Sequence, residues 1–221
     1  MLEQLKQMNS NLQIFTTKDK EFQQYGRSLD IDATSLIDYL SSQGEKDEIK
    51  NAAKASYVTD REDLHDFVCI PQIQKDIFGY LPIQTGVVKG RNQSLTGTEF
   101  HQGSEVNVAV TDCLLVLGNK YDMIDNTIDV SQMDVFYVEK GEVLEIYPTT
   151  LHYTPIEANN EGFSLVVILI EGTNTDIDFE KNSMLCKKNK WYVCHSSQTA
   201  KIEQGFRVGL TGDLLTIKYP Q

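Results

Sequence analysis

Leu95-Thr96-Gly97-Thr98-Glu99-Phe100-His101-Gln102-Gly103-Ser104-Glu105-Val106-Asn107-Val108-Ala109-Val110 reads as two β-strands broken by a Gly-Ser bend. Alternate residues of a strand share a face, so Glu99 and His101 project the same way. The bend can bring Glu105 back toward that face. A second segment, Pro148-Thr149-Thr150-Leu151-His152, adds another imidazole from a separate strand. Two imidazoles and two carboxylates form a donor set suited to a divalent metal such as Zn, Fe, Mn, Co or Ni. The chain has four histidines, at 65, 101, 152 and 195. Any one of them, met among apolar strands, is more often a hydrogen-bonded structural residue than a ligand. It is the joint pattern of Glu99, His101, Glu105 and His152 that points to a metal.

Working outward, strand grammar runs from Leu81 onward. Pro82 to Val88 leads into the turn Lys89-Gly90-Arg91-Asn92, and Cys113 to Leu117 ends at Gly118-Asn119. Asp134 to Glu139, the Lys140-Gly141 turn and Val143 to Tyr147 read as a hairpin. Leu151 to Pro155 and Phe163 to Ile170 continue the series, and Gly209 to Asp213 reads as a turn before a last strand, Leu214 to Tyr219. Short strands with regular turns and no long helices between them indicate an antiparallel sandwich or barrel.

Residues 1–80 differ. Leu36, Ile37 and Leu40 mark one face of a short helix that Asp32 or Thr34 could cap. The polar run Ser42 to Glu48 reads as a turn into a second helical piece, and Pro71 precedes a short helix or turn through Ile73 and Ile77. The reading is one compact domain: a helical arm, 1–80, packed on a β-barrel, 81–221.

With 221 residues the chain can bury a full core. Its net charge of -12 repels phosphate backbones and anionic membranes, which argues against nucleic-acid and membrane partners. Met1 to Met8 has no apolar core of the kind a signal peptide carries, and Phe163 to Ile170 is too short to span a bilayer. A cytoplasmic setting is expected. Cys69, Cys113, Cys186 and Cys194 show no CxxC spacing and read as free, buried thiols.

A small barrel carrying these motifs resembles the cupins. His101 and Glu105 match the second histidine and the glutamate of the first cupin motif, with Glu99 standing where its first histidine would be. Gly141, Pro148 and His152 follow the second motif, without its glycine between proline and histidine and with a shorter gap. Gly90-Arg91-Asn92, Glu99-Phe100-His101 with Ser104-Glu105, Leu151-His152-Tyr153 with Pro155, Gly172-Thr173-Asn174, and Asn189-Lys190-Trp191 near His195 resemble a bacterial family of unknown function within the cupin superfamily. The resemblance implies a mainly β, cupin-like antiparallel double-stranded β-helix, or jelly-roll barrel, and a homodimer.

For the chemistry, Glu99, His101, Glu105 and His152 are the expected ligands of a divalent ion (Mn, Zn or Fe). Glu145 and Tyr147 share a face of the strand before His152 and are candidates for general base and for acid or hydroxyl-binding group. Strand alternation alone does not say whether that face is inside. Lys89, Arg91, Tyr153 and Lys190 are candidate substrate contacts, with a solvated turn the plainer reading of Lys89 and Arg91. Resemblance to cupin sugar isomerases implies a metal-dependent isomerase or epimerase, or a lyase, acting on a small sugar or sugar acid. A ferrous oxygenase and a non-catalytic sugar-binding or regulatory cupin are the alternatives.

Overall fold

The computed structural model describes residues 1–44 and 46–220. Phe163–Ile170 forms the centre of a six-stranded sheet. It lies antiparallel between Ile83–Gly90 and Glu105–Ala109, and the latter pairs on with Val143–Ile146. A facing sheet is built on Cys113–Asn119, antiparallel to Asp134–Val138 and to the short strands Thr150–Leu151 and Ile156–Glu157. The run Phe163 to Ile170 has no polar residue but Ser164 because both of its faces are covered. Leu165, Val167 and Leu169 point between the sheets toward Leu115, Leu117 and Phe136, while Val166 and Ile168 point outward. The architecture is a cupin-like jelly roll.

Residues before 81 do more than pack on this barrel. Helices Thr34–Ser42 and Cys69–Asp76 cover the outer face of the six-stranded sheet through Leu36, Ile37, Leu40, Ile70 and Ile73. Asp32 accepts the Thr34 amide at 2.9 Å, as a capping residue would. Three strands from the same region extend the sheets at their edges: Ile14–Thr16 parallel to Asp134–Val138, Gly26–Ser28 beside Val143–Ile146, and Ser56–Val58 beside Ile83–Gly90. The helical piece expected after Ser42 spans Lys46–Lys50; Glu45, in the turn read before it, lies outside the described residues.

The C-terminal part forms a third sheet in which Lys190–His195 pairs with Gly97–Phe100 and, in parallel, with Val208–Thr211. The last strand is therefore Val208–Thr211, not Leu214 to Tyr219. Gly209 serves close approach to Val193 inside that strand, and the bend falls at Gly212. Residues 214–219 run beside 93–95 with isolated bonds, Leu95 N–H to the Leu215 carbonyl and Ile217 N–H to the Gln93 carbonyl, both 2.9 Å. Asn9 closes the chain on itself: its Nδ2 donates to the Lys218 carbonyl at 2.7 Å and its Oδ1 accepts the Lys218 amide at 2.9 Å. Among the described residues no helix is long and apolar enough to cross a membrane. All four cysteines are buried and free.

Phe136 joins the early residues to the barrel, with its ring centroid 5.4 to 5.6 Å from those of Phe15, Phe22 and Tyr25. Phe136→Ala leaves a cavity under all three rings. It is expected to cost about 3–5 kcal/mol, read as a lower denaturant midpoint.

Candidate metal centre

Glu99, in strand Gly97–Phe100, and His152, just past Thr150–Leu151, exchange both backbone hydrogen bonds. Glu99 N–H meets the His152 carbonyl at 2.8 Å, and His152 N–H meets the Glu99 carbonyl at 2.9 Å. This pairing sets the two segments side by side. His101 follows just past the end of that strand, and the chain then turns at Gly103, whose φ of +93° suits glycine. A Cβ there would lie 2.5 Å from Ile170 Cδ1. Glu105 re-enters the sheet immediately after.

The four expected ligands come together. His101 Nε2 lies 3.7 Å from Glu99 Oε1 and 3.8 Å from Glu105 Oε2, and His152 Nε2 lies 3.5 Å from Glu105 Oε2. Glu99, His101 and His152 each offer an atom within 4.8 Å of the others. All four side chains are buried. Each imidazole has its Nδ1 3.0 Å from a carbonyl oxygen, that of Asn189 for His101 and that of Thr150 for His152. Nδ1–H donates to that carbonyl, so Nε2 is left for the cluster. Both Nε2 atoms are buried without a hydrogen-bond partner among the described residues. Imidazoles oriented by carbonyls, with Nε2 facing two carboxylates, fit a divalent cation.

The charges of the cluster are mutually adjusted. Burial and the neighbouring His152 hold His101 below the usual imidazole range. Burial would lower His152 too, but Glu105 and Glu99 outweigh it and raise the group to about 8. Burial would raise Glu105, yet the imidazoles bring it down to about 2. Lys190 Nζ sits 2.5 Å from Glu99 Oε2. Against burial, that pair keeps Lys190 above its ordinary value and Glu99 below its own.

Three members of the cluster, Glu99, Glu105 and His152, line a cavity of about 220 Å³. Glu99, Glu105, Asn107, His152 and Lys190 make a polar end, and Val88, Leu115, Ile146, Leu165 and Val167 an apolar wall. Of the expected substrate contacts, Lys190 and Tyr153 line this cavity, and the Tyr153 hydroxyl accepts a hydrogen bond from Lys201 at 2.7 Å.

Other expected residues lie elsewhere, which corrects their proposed roles. Glu145 pairs across the sheet with Val106 whereas Glu105 pairs with Ile146, so the two glutamates leave opposite faces. Glu145 is held outside the cavity by Arg27 at 2.6 Å and Ser104 at 2.7 Å. Tyr147 shares that outer side near Arg27. Lys89 follows the inward Val88 and so faces out, where it pairs with Glu48 at 3.1 Å. Arg91 is committed to the buried Glu157 and to the Tyr219 hydroxyl at 2.7 Å, a clasp on the C-terminal segment.

Asn189 was not singled out by itself in the sequence, yet it braces the centre. Besides taking the His101 proton donor on its carbonyl, its Oδ1 accepts the Gln102 amide at 3.0 Å, and its Nδ2 donates to the Gln102 carbonyl and to Thr173 Oγ1. Its φ of +56° in a tight turn between two strands is a conformation asparagine tolerates, and Lys-Asn-Lys between strand residues was the available signal.

A cupin-like barrel with a buried His/Glu centre is thus the class of protein at hand. The family described as "Domain of unknown function (DUF4867)" matches residues 14–215, and the chain belongs to it. No curated protein matches. Among solved structures, EvdO2 from Micromonospora carbonacea var. aurantiaca complexed with 2-oxoglutarate is 12% identical, with a TM-score of 0.48 over 67% of this chain and 87% of that one. Oxalate decarboxylase from Bacillus subtilis is 11% identical (TM-score 0.33, 54% of this chain and 26% of that one). Salicylate 1,2-dioxygenase from Pseudoaminobacter salicylatoxidans is 12% identical (TM-score 0.32, 61% and 31%). The chain therefore spans less than a third of the decarboxylase and dioxygenase chains.

A metal must displace the proton that His152 carries below pH 8, so affinity should rise about tenfold per pH unit up to 8 and then level off. Without metal the sign is opposite. A raised imidazole stabilises the fold below its ordinary value near 6.5, and that contribution is lost as pH climbs to 8. Chelator competition and melting curves across pH 6 to 9 would show both trends. Asn189→Ala keeps the carbonyl that accepts from His101 but removes the side-chain bonds to Gln102 and Thr173 that hold it in place, and is expected to weaken metal binding by up to about tenfold, with the barrel's circular dichroism unchanged.

Proposed function

We propose that the chain is a divalent-metal-dependent enzyme acting on a small carbohydrate-derived metabolite, a sugar or sugar acid, by isomerisation or epimerisation. One observation carries the reading: two buried imidazole nitrogens without partners converge with two carboxylates, and Glu99, Glu105 and His152 of that cluster line a metabolite-sized cavity. Mn, Zn or Fe held by Glu99, His101, Glu105 and His152 would polarise a carbonyl or hydroxyl oxygen as a Lewis acid. Lys190, kept charged by Glu99, would orient a carbonyl or carboxylate oxygen at the same end. The Glu99–Lys190 ion pair, 2.5 Å apart, would take over the proton-holding role that Glu145, outside the cavity, does not fill. The apolar wall keeps bulk water from the reacting carbon.

A second reading, a ferrous oxygenase, is favoured by the trio Glu99, His101 and His152, since two histidines and one carboxylate suit non-haem iron. Elemental analysis of the purified protein beside the His101→Ala, His152→Ala double variant tests the shared premise. Near-stoichiometric metal in the parent and none in the variant is the expected result. Oxygen uptake with added ferrous iron would select the oxygenase, and sugar interconversion without oxygen the isomerase. A parent that takes up none of Mn, Zn, Fe, Co or Ni would end both readings and leave a barrel that captures ligand without turning it over.

A further inference from the structure

Two more buried polar atoms of the cavity lack a hydrogen-bond partner among the described residues: the Tyr57 hydroxyl and Asn174 Oδ1. Neither belongs to the metal-binding set. Tyr57 reaches the cavity from the edge strand Ser56–Val58, in register with Val88. Asn174 comes from the turn after Phe163–Ile170, with φ at +70°. The side chains of Asn174 and Gln84 approach the Tyr57 hydroxyl as donors and lower its pKa, but burial, with Glu105, outweighs them, so the phenol is neutral. Gln84 is already engaged: its Nε2 donates to the Thr173 carbonyl at 3.0 Å and its Oε1 accepts the Gly172 amide at 2.8 Å. That bracing holds the Asn174 turn against the barrel. Buried polar atoms left unpaired by the protein are costly, and a fold retains them where something else supplies the partner.

We propose that Tyr57 and Asn174 form a second anchor in the cavity, one that recognises a hydroxyl group of the bound metabolite. This rests on reading the cavity as a small-molecule site and adds the class of ligand. A hydroxyl accepts from the phenol and donates to the amide oxygen, serving both atoms at once. A carboxylate would serve Tyr57 alone and meet Glu105 as a like charge; an ammonium could donate to both oxygens but would leave the phenol proton without an acceptor. The wall of Val88, Leu115, Ile146, Leu165 and Val167 presents hydrocarbon side chains, so a ligand hydroxylated on every side would bury hydroxyls without partners there. The ligand that fits carries its oxygens along one edge and carbon along the other, as a short hydroxy acid or a deoxygenated sugar acid does.

The test compares the parent with Tyr57→Phe, with and without added metal, using L-lactate and 2-hydroxybutyrate beside propionate and butyrate as probes. Without probe, Tyr57→Phe is expected to melt at the parent's temperature or above, since it deletes an unpaired buried hydroxyl, and to bind as much metal as the parent. At least one hydroxylated probe should raise the parent's melting temperature and bind Tyr57→Phe about tenfold more weakly, while propionate and butyrate do not distinguish the two proteins. A lower melting temperature of Tyr57→Phe without probe would show that the hydroxyl serves the fold and would overturn the proposal. So would hydroxylated probes that act equally, or not at all, on both proteins. A parent without metal would sink the metalloenzyme reading alone, because the metal-free arms still decide the anchor.

Discussion

The pair of backbone hydrogen bonds between Glu99 and His152 is the constraint on which the site depends. Glu99 belongs to a strand whose other neighbour is Lys190–His195, and His152 leaves the strand that closes the facing sheet of the barrel. Their pairing therefore fastens the third sheet onto the jelly roll, and does so at the spot where the ionisable side chains meet. Were the two backbones to slip by one residue, Glu99 and His152 would swap faces with their neighbours and the cluster would disperse.

Gathering these groups in a barrel is costly unless their charges cancel. Two glutamates held ionised are matched by Lys190 and by an imidazole that keeps its proton to about pH 8. The metal-free centre is therefore close to neutral. The cation that fits it would take over the charge His152 gives up. The second imidazole, His101, is depressed by burial and by the first, so the cluster keeps one nitrogen lone pair available at neutral pH.

The cluster was legible in the sequence because strand alternation and a Gly-Ser bend are local rules: alternation puts Glu99 and His101 on one side, and the bend can bring Glu105 back to it. The barrel was legible from its evenly spaced short strands. What local rules leave open is the absolute direction of a face. Glu145 and Tyr147 do share one, but it is the outer one, a fact set by the register of Val143–Ile146 against Glu105–Ala109. Arg91, in a turn suited to binding an anion, instead spends its guanidinium on Glu157 inside the molecule. Residues 1–80 read as helical because their strands have three residues each, too few to show a period of two, and so Tyr57 gave no signal of its place in the cavity.

The Asn9–Lys218 tie joins residues 209 positions apart, and Ile14–Thr16 finds its partner in Asp134–Val138. Contacts of such span form late, because the loops they close are long. On a ribosome, Glu99 to His152 would emerge well before Asn189 and Lys190 and would wait for the carbonyl that orients His101 and the cation that balances Glu99. A half-made chain thus holds carboxylates and imidazoles without their final geometry, and any ion the centre takes would be loaded as a closing event of biosynthesis rather than as an early nucleus of folding.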